Sequence, residues 1–451
     1  MNSMHGIPFE RCDLVRVGFI GVGSRGRSLL REMLACDGVQ VVAVADVGAA
    51  AVAKAVEQIT TAGQPAPIAC TGVDSWRRLL ENELDLVIVA TPWTTHTPYA
   101  VAAMAAGNHV AVEVPAATTL DECWQLVETS EQARRHCVML ENCCYDYWET
   151  LVKRMVNAGL LGEITHAECA YIHDLRSMLL EDRSEGLWRR QAHIDRNGNL
   201  YPTHGLGPVA KILGIGADDR FDYLVSMSSR ERGLSAYRDA TLPDGDPKRS
   251  EIYRCGDMNS SLIRTQQGRT ILLQHDSHTP RPYDRGFLIG GTKGLFRDYP
   301  PRLYLDGMSE HEAWLPLEAY KAQWEDPLWT NLGELARNRG GHGGMDFIMI
   351  YRLLQTLHEG LPPDIDVYDA VEWSVPPALR SLGCQSQPPC GFPQLSPAVK
   401  SGDWFIGRFT QCALGKSPNE PITSTYGNEP MNTLPKLTDK RALRYYSSTP
   451  N

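Results

Sequence analysis

Val17-Gly18-Phe19-Ile20-Gly21-Val22-Gly23-Ser24-Arg25-Gly26 decides the fold. A β-rich run over Val15–Ile20 feeds a Gly21-x-Gly23-x-x-Gly26 turn, and residues 28–34 continue as a helix. In such a strand–turn–helix the first glycine permits the tight turn and the second lets backbone approach a pyrophosphate. The third allows close packing of helix on strand, and the helix N-terminus stabilises the phosphate charge. Asp46 ends the next strand, residues 39–45, at the expected spacing of about twenty residues. An acidic side chain there accepts hydrogen bonds from a ribose diol and repels a 2′-phosphate, so the pattern predicts NAD rather than NADP. Glycines used only for packing are the competing reading, and the flanking strand, helix and Asp46 weigh against it. Arg25 beside the turn reads either as a phosphate contact or as a solvated surface residue.

Working outward, strand signals at 84–90, 109–114 and 137–141 alternate with helix signals at 96–107 and 121–136. This βαβ rhythm predicts an α/β Rossmann domain, a doubly wound parallel sheet, over residues 1–141. From Asn142 the rhythm changes. A helix at 151–158 precedes β candidates at 162–171, 221–229, 260–265, 270–275 and 286–290, with few helices between them. Residues 142–384 are therefore expected to form an α+β domain with an open, mostly antiparallel sheet. An amphipathic helix at 345–360 carries Phe347, Ile350, Tyr351, Leu354 and Leu357 on one face. A further helix is expected at 369–382, kinked or divided at Pro376-Pro377. Residues 385–451 are rich in proline and glycine and read as a weakly structured tail.

Bulk properties exclude several classes. The 451 residues carry a net charge of −10 with no basic stripe, which argues against nucleic acid. No apolar run is long enough to span a bilayer. Residues 1–13 lack a secretory pattern, so a cytoplasmic location is expected. The twelve cysteines include adjacent Cys143 and Cys144, others such as Cys36, Cys123 and Cys169 lie in apolar surroundings, and none forms Cys-x-x-Cys. Reduced, mostly buried thiols are the expectation.

The chemistry-bearing segment is Tyr201-Pro202-Thr203-His204. His204 is a natural base near neutral pH, and Tyr201, three residues earlier, shares its face on a helical turn. A histidine before glycine is more often a turn residue, so the motif alone is weak. In His275-Asp276-Ser277-His278, strand alternation would send the two histidines to opposite faces. A solvated polar turn is the expectation there, and no metal is predicted. His342, within Gly340-Gly-His-Gly-Gly344, reads as a loop residue, with proximity to the active site as the alternative.

The Rossmann half, with Thr91-Pro92 and Glu113-x-Pro115 at strand ends, resembles the Gfo/Idh/MocA oxidoreductases. In many of those the middle residue of Glu-Lys-Pro is a catalytic lysine; here it is Val114. A closer resemblance is to the NAD-dependent α-N-acetylgalactosaminidases, glycoside hydrolase family 109. It rests on Ala90-Thr-Pro-Trp-Thr-Thr-His-Thr-Pro98, Glu113-Val-Pro-Ala-Ala117, Met139-Leu-Glu-Asn142, Gly198-Asn-Leu-Tyr-Pro-Thr-His-Gly-Leu-Gly-Pro208 and Arg281-Pro-Tyr-Asp284. The resemblance implies that Gly21, Gly23, Ser24, Arg25, Gly26, Asp46, Trp93, His96, Glu113, Val114, Asn142, Arg189 and Tyr201 bind NAD. It implies that Tyr171, Tyr201, Pro202, Thr203, His204 and Tyr283 face the sugar with Glu141 nearby, and that His204, Tyr201 and Tyr283 are catalytic.

The function so implied is removal of terminal α-linked N-acetylgalactosamine by oxidation at C3, elimination, addition of water and reduction, with NAD regenerated each turn. The main rival is an NAD-dependent sugar or cyclitol dehydrogenase, against which the missing lysine at Val114 weighs. A non-catalytic NAD-binding protein is the third reading. A glycoside is the expected partner, with nucleic acid and membrane excluded. Exposed sheets in this scaffold commonly pair, so a homo-oligomer is a compatible assembly.

Overall fold

The computed structural model describes residues 3–377 and the short strand at 390–391. Along the first half β1 (Val15–Ile20), α1 (Ser24–Met33), β2 (Val39–Asp46), α2 (Ala49–Thr61), β3 (Ile68–Thr71), α3 (Ser75–Leu80), β4 (Leu86–Val89), α4 (Trp93–Ala105), β5 (His109–Val112), α5 (Leu120–Ala133) and β6 (Cys137–Met139) alternate. The strands form one parallel sheet in the order β3-β2-β1-β4-β5-β6. β4 is wholly apolar and β5 is apolar after His109, and both are buried at every position, as a parallel sheet covered on both faces requires. Strand order reverses between β1 and β4, which opens a crevice at their carboxyl ends.

In the first half the sequence reading missed α2, β3 and α3 altogether and otherwise differs from the structure at element ends. α1 begins at Ser24 rather than residue 28, because Gly23 caps it directly out of the turn. β4 begins at Leu86 rather than residue 84, because Asp85 is held by Arg16: Nε donates at 3.0 Å and Nη2 at 2.8 Å to the carboxylate. α5 starts where Thr119 and Glu122 form a reciprocal capping box.

The second half contains α6 (Tyr147–Asn157), β7 (Ile164–Ile172), α7 (Arg176–Leu180), α8 (Gly186–Asp195), α9 (Thr203–Leu213), β8 (Phe221–Ser228), α10 (Gly233–Thr241), β9 (Asn259–Thr265) and β10 (Thr270–Asp276). It continues through β11 (Leu288–Gly291), β12 (Gly294–Arg297), β13 (Arg302–Leu305), α11 (Glu318–Trp324), α12 (Pro327–Arg339), α13 (Met345–Glu359), α14 (Val367–Ser374) and β14 (Cys390–Gly391). The sheet order is β13-β12-β11-β7-β10-β9-β8-β14, antiparallel except for the β7–β10 pair. The expected α/β domain followed by an open, mostly antiparallel sheet is the architecture found.

The expectation of few helices among these strands was wrong. α7, α8, α9 and α10 lie between β7 and β9. α9 escaped because Gly205, Gly207 and Pro208 interrupt it, and glycine and proline normally oppose a helix. Packing overrides that tendency. A Cβ on Gly205 would stand 2.7 Å from the Ala170 nitrogen, and one on Gly207 2.9 Å from the Trp373 ring. α9 can lie against β7 and α14 only with glycine at both positions.

α14 ends at Ser374, short of the expected 369–382; that helix beyond residue 377, and the tail reading of 385–451 apart from β14, lie outside the described residues. The described cysteines are all free thiols. No described helix is long and apolar enough to cross a membrane.

Candidate functional site

The glycine-rich turn is built for a bound phosphate group. Gly21 has φ +90°, and a Cβ there would lie 2.5 Å from the Ala90 carbonyl oxygen. A Cβ on Gly26 would overlap the Gly21 carbonyl oxygen, whereas one on Gly23 would meet nothing within 4 Å. The first and third glycines therefore close the turn, and the second leaves its backbone open to a ligand. No side chain caps the N-terminus of α1, so its amides remain available. Asp46, at the end of β2, accepts from the Val22 and Gly48 amides, both at 2.9 Å, which fixes the carboxylate beside the turn. The residues present thus fit a dinucleotide. Gly26→Ala is expected to abolish NAD binding and to destabilise the fold by about 1–3 kcal/mol through overpacking. Calorimetric titration with NAD⁺ and a thermal melt check both.

Beyond the switch point, the carboxyl ends of β4, β5 and β6 carry Trp93, His96, Glu113, Val114, Glu141 and Asn142. His96 is buried, with Nδ1 2.8 Å from Pro115 O and Nε2 2.7 Å from Thr91 O. Burial pushes its pKa down. The neutral ring bridges the loops after β4 and β5, donating to one carbonyl at a time. Glu113 accepts from the Val114 amide at 3.1 Å and from Arg25 Nε at 2.6 Å.

Of the two readings of Arg25, the solvated surface residue is the one that does not hold, because the guanidinium pairs with Glu113. Its Nη1 also donates to Asp346 Oδ2 at 2.6 Å, so two carboxylates share the guanidinium. Asp346, fully buried at the start of α13, further accepts from Asn142 Nδ2 at 2.7 Å and pairs with His342 Nδ1 at 2.9 Å. Although burial opposes ionisation, His342 and Arg25 hold the Asp346 carboxyl well below the usual range. Its hydrogen bond pushes His342 up. Asp346 was missed in the sequence, and His342, read as a loop residue, joins the same network. The only local signal was an unusual Gly-Gly-His-Gly-Gly loop.

A second group of side chains lies at the ends of β7 and α9. Tyr201 has its ring centroid 4.8 Å from His204, 4.6 Å from Tyr171 and 5.6 Å from Trp93. Tyr171 is 5.7 Å from His204 and 6.2 Å from Tyr283. Arg189, buried on α8, spans this group, its guanidinium carbon 4.7 Å from the Tyr201 ring centroid and 5.0 Å from that of Trp93. Nη1 of Arg189 donates to Glu185 at 2.7 Å. Pro202 caps α9 and is buried, and Thr203 has no exposed surface, so its side chain belongs to the core. Tyr283 is the open member, 37% exposed.

His204 Nδ1 lies 2.7 Å from Glu141 Oε1, and Glu141 is wholly buried. Burial pushes the Glu141 carboxyl up, but His204 more than offsets it and the group stays ionised below its usual range. An anionic acceptor makes Nδ1 the N–H of the ring and leaves Nε2 as the basic atom. Burial pushes the Tyr201 phenol well up despite Arg189, so at neutral pH it is a hydrogen-bond donor. His173 had not been anticipated; its Nδ1 lies 3.2 Å from the Tyr171 hydroxyl and its ring 5.1 Å from Tyr283.

Both halves of the chain match known families. Residues 15–141 match the oxidoreductase family described as an NAD-binding Rossmann fold, and residues 145–405 match the glycosyl hydrolase 109 C-terminal domain. A glycosyl hydrolase family 109 protein of Solibacter usitatus is 52% identical over 407 residues, covering 89% of this chain and 92% of its own. Another, from Saccharopolyspora erythraea, is 49% identical and covers 84% and 82%. Among solved structures, a levoglucosan dehydrogenase in complex with NADH superposes with TM-score 0.60 at 19% identity, covering 81% of this chain and 96% of that one. The scyllo-inositol dehydrogenase of Lactobacillus casei with bound NAD(H) and scyllo-inositol gives 0.57 at 15%, covering 82% and 96%. At such identities these two speak for the fold alone.

Proposed function

We propose, from the premise that this chain belongs to glycosyl hydrolase family 109 and carries an NAD-binding Rossmann domain, that it removes terminal α-linked N-acetylgalactosamine from glycosides by an oxidation–elimination–addition–reduction cycle. The observation that carries the reading is the buried Glu141–His204 pair set among Tyr171, Tyr201 and Tyr283. NAD, when bound, supplies a reversible two-electron acceptor, so that a ketone at C3 makes the C2 proton acidic.

The chain's own residues hold the cofactor, orient the sugar and take the first proton. The turn at Gly21 and Gly23 holds the pyrophosphate, and Asp46 accepts from the ribose diol. Glu113, Arg25, Asn142 and Asp346 frame the far side of the crevice. His204 Nε2 takes the proton from the C3 hydroxyl, while Glu141 keeps the ring oriented and stabilises its charged form. Tyr201 donates to the sugar oxygen as a neutral phenol. Tyr283, at the open side, meets the leaving-group oxygen. Val114, buried where a lysine would serve direct alcohol oxidation, offers no base.

The test uses the full chain with p-nitrophenyl α-N-acetylgalactosaminide, with and without added NAD⁺, following nitrophenolate and NADH together. Nitrophenolate over many turnovers with no net NADH is the expected result. NADH accumulating without nitrophenolate would favour the dehydrogenase reading, and silence in both channels would overturn the proposal for this sugar. The proposal includes self-association: the second sheet exposes Val225, Met227 and Leu262 on β8 and β9.

A further inference from the structure

The His275–His278 run is not the solvated turn that alternation suggested. β10 ends at Asp276, whose Oδ1 accepts from the His278 amide at 2.9 Å and the Thr279 amide at 3.1 Å, so the chain turns before His278. The turn carries His278 into the core, where it has no exposed surface. Its Nε2 lies 2.9 Å from Nδ1 of His193, in the last turn of α8. The carbonyl of His193 in turn accepts the Arg254 amide at 2.9 Å and the Cys255 amide at 3.0 Å. Those two bonds pin Cys255 beside the imidazole of the residue that holds it. The donor atoms of His193, Cys255 and His278 all lie within 4.8 Å of one another, and all three residues are buried.

Behind His278 stands a carboxylate. Its Nδ1 is 3.5 Å from Asp257 Oδ1, and Asp257 is itself fixed by the Arg232 and Gly233 amides, each at 2.9 Å. At 3.5 Å the His278–Asp257 pair is an electrostatic contact rather than a made hydrogen bond, and a small rotation of the ring would let Nδ1 donate to Asp257 and present the other nitrogen as a lone pair. Metal-ligating histidines are held by outer partners in this way.

We propose that His193, Cys255 and His278 bind one zinc ion. Two imidazoles and a thiolate are a donor set zinc favours, with bonds of about 2.0–2.1 Å to nitrogen and 2.3 Å to sulfur. Tetrahedral geometry at those lengths separates donors by roughly 3.3–3.6 Å. The observed separations, from 2.9 Å between the nitrogens to at most 4.8 Å overall, bracket that range, so small side-chain adjustments seat the ion. Without metal the 2.9 Å contact holds a proton between the two rings. On binding, His193 carries its N–H on Nε2 instead, Cys255 becomes a thiolate, and its proton leaves to solvent. The ion ties the C-terminal end of α8 to the loop at Cys255 and the end of β10. Arg189 sits one helical turn earlier on α8, so the tie fixes the guanidinium that spans the aromatic group.

The test uses the full chain produced in zinc-supplemented medium, treated with a mild chelator and assayed for metal. About one zinc per chain is expected, falling to background in Cys255→Ser and in His278→Gln. Cobalt added to metal-free protein should give an intense thiolate-to-cobalt band that Cys255→Ser removes. Wild-type protein that holds no more zinc than either variant, or binds cobalt without the thiolate band, would overturn the proposal. If the variants do not fold, the wild-type chain decides: a cobalt–thiolate band at one equivalent supports the site, and its absence sinks it.

Discussion

His204→Ala is expected to lower kcat on the aryl glycoside by about 10²- to 10⁴-fold, the usual worth of a positioned acid–base group. NAD⁺ affinity should stay close to wild type, since His204 contacts Glu141, Tyr171 and Tyr201 rather than the turn. Glu141→Gln tests the same pair from behind. The amide keeps the shape but cannot stabilise the ring once it has taken a proton, and it can present N–H where the ring needs an acceptor. A fall in kcat with KM nearly unchanged, partly restored by Glu141→Asp, is the signature of a positioning carboxylate. Steady-state kinetics, with binding measured separately by calorimetry, separates the two effects. If His204→Ala keeps near wild-type kcat, the proposed base is wrong, whatever the overall reaction proves to be.

The legible parts of this molecule are those governed by short-range rules. The Gly21–Gly26 turn, Asp46 and the flanking strands could be read because strand, turn and helix follow one another within about thirty residues. Their packing then works as the pattern demands. The pair His204 and Glu141 was half legible. Tyr201-Pro-Thr-His204 is a compact motif, but its carboxylate lies 63 positions earlier, and only the resemblance placed it nearby. α9 was hidden because the glycines that let it touch Ala170 and Trp373 are the residues that argue against a helix. Likewise, strand alternation misassigned His278 because β10 stops two residues before it. Periodicity holds only as long as the element does. Asp346 had no legible role at all, because each of its partners except His342 comes from a distant strand end or turn.

That distance is why Asp346 supplies the largest expected loss of stability. Asp346→Asn is expected to destabilise the fold by about 3–5 kcal/mol, toward the lower end because Glu113 still pairs with Arg25. The replacement amide would face the Arg25 guanidinium and Asn142 Nδ2 with donors as well as an acceptor, leaving buried N–H groups opposed. Weaker NAD⁺ binding should follow, since Arg25 and Asn142 lose the group that aligns them. The pH dependence has a definite sign. The Asp346 carboxyl is held below its usual value in the folded chain, so its contribution is present above the ordinary aspartate range and is lost as pH falls below about 4. His342 is shifted the other way, so its contribution is complete below the ordinary imidazole value of about 6.5 and fades as pH rises through its raised value. The two conditions overlap between roughly pH 4 and 6.5, where the wild-type advantage over Asp346→Asn should be greatest. Urea unfolding of both proteins across pH 3 to 8 measures it. A gap that stays constant over that range would mean that Asp346 acts through packing, and that the ionic link from α13 to the strand ends contributes little.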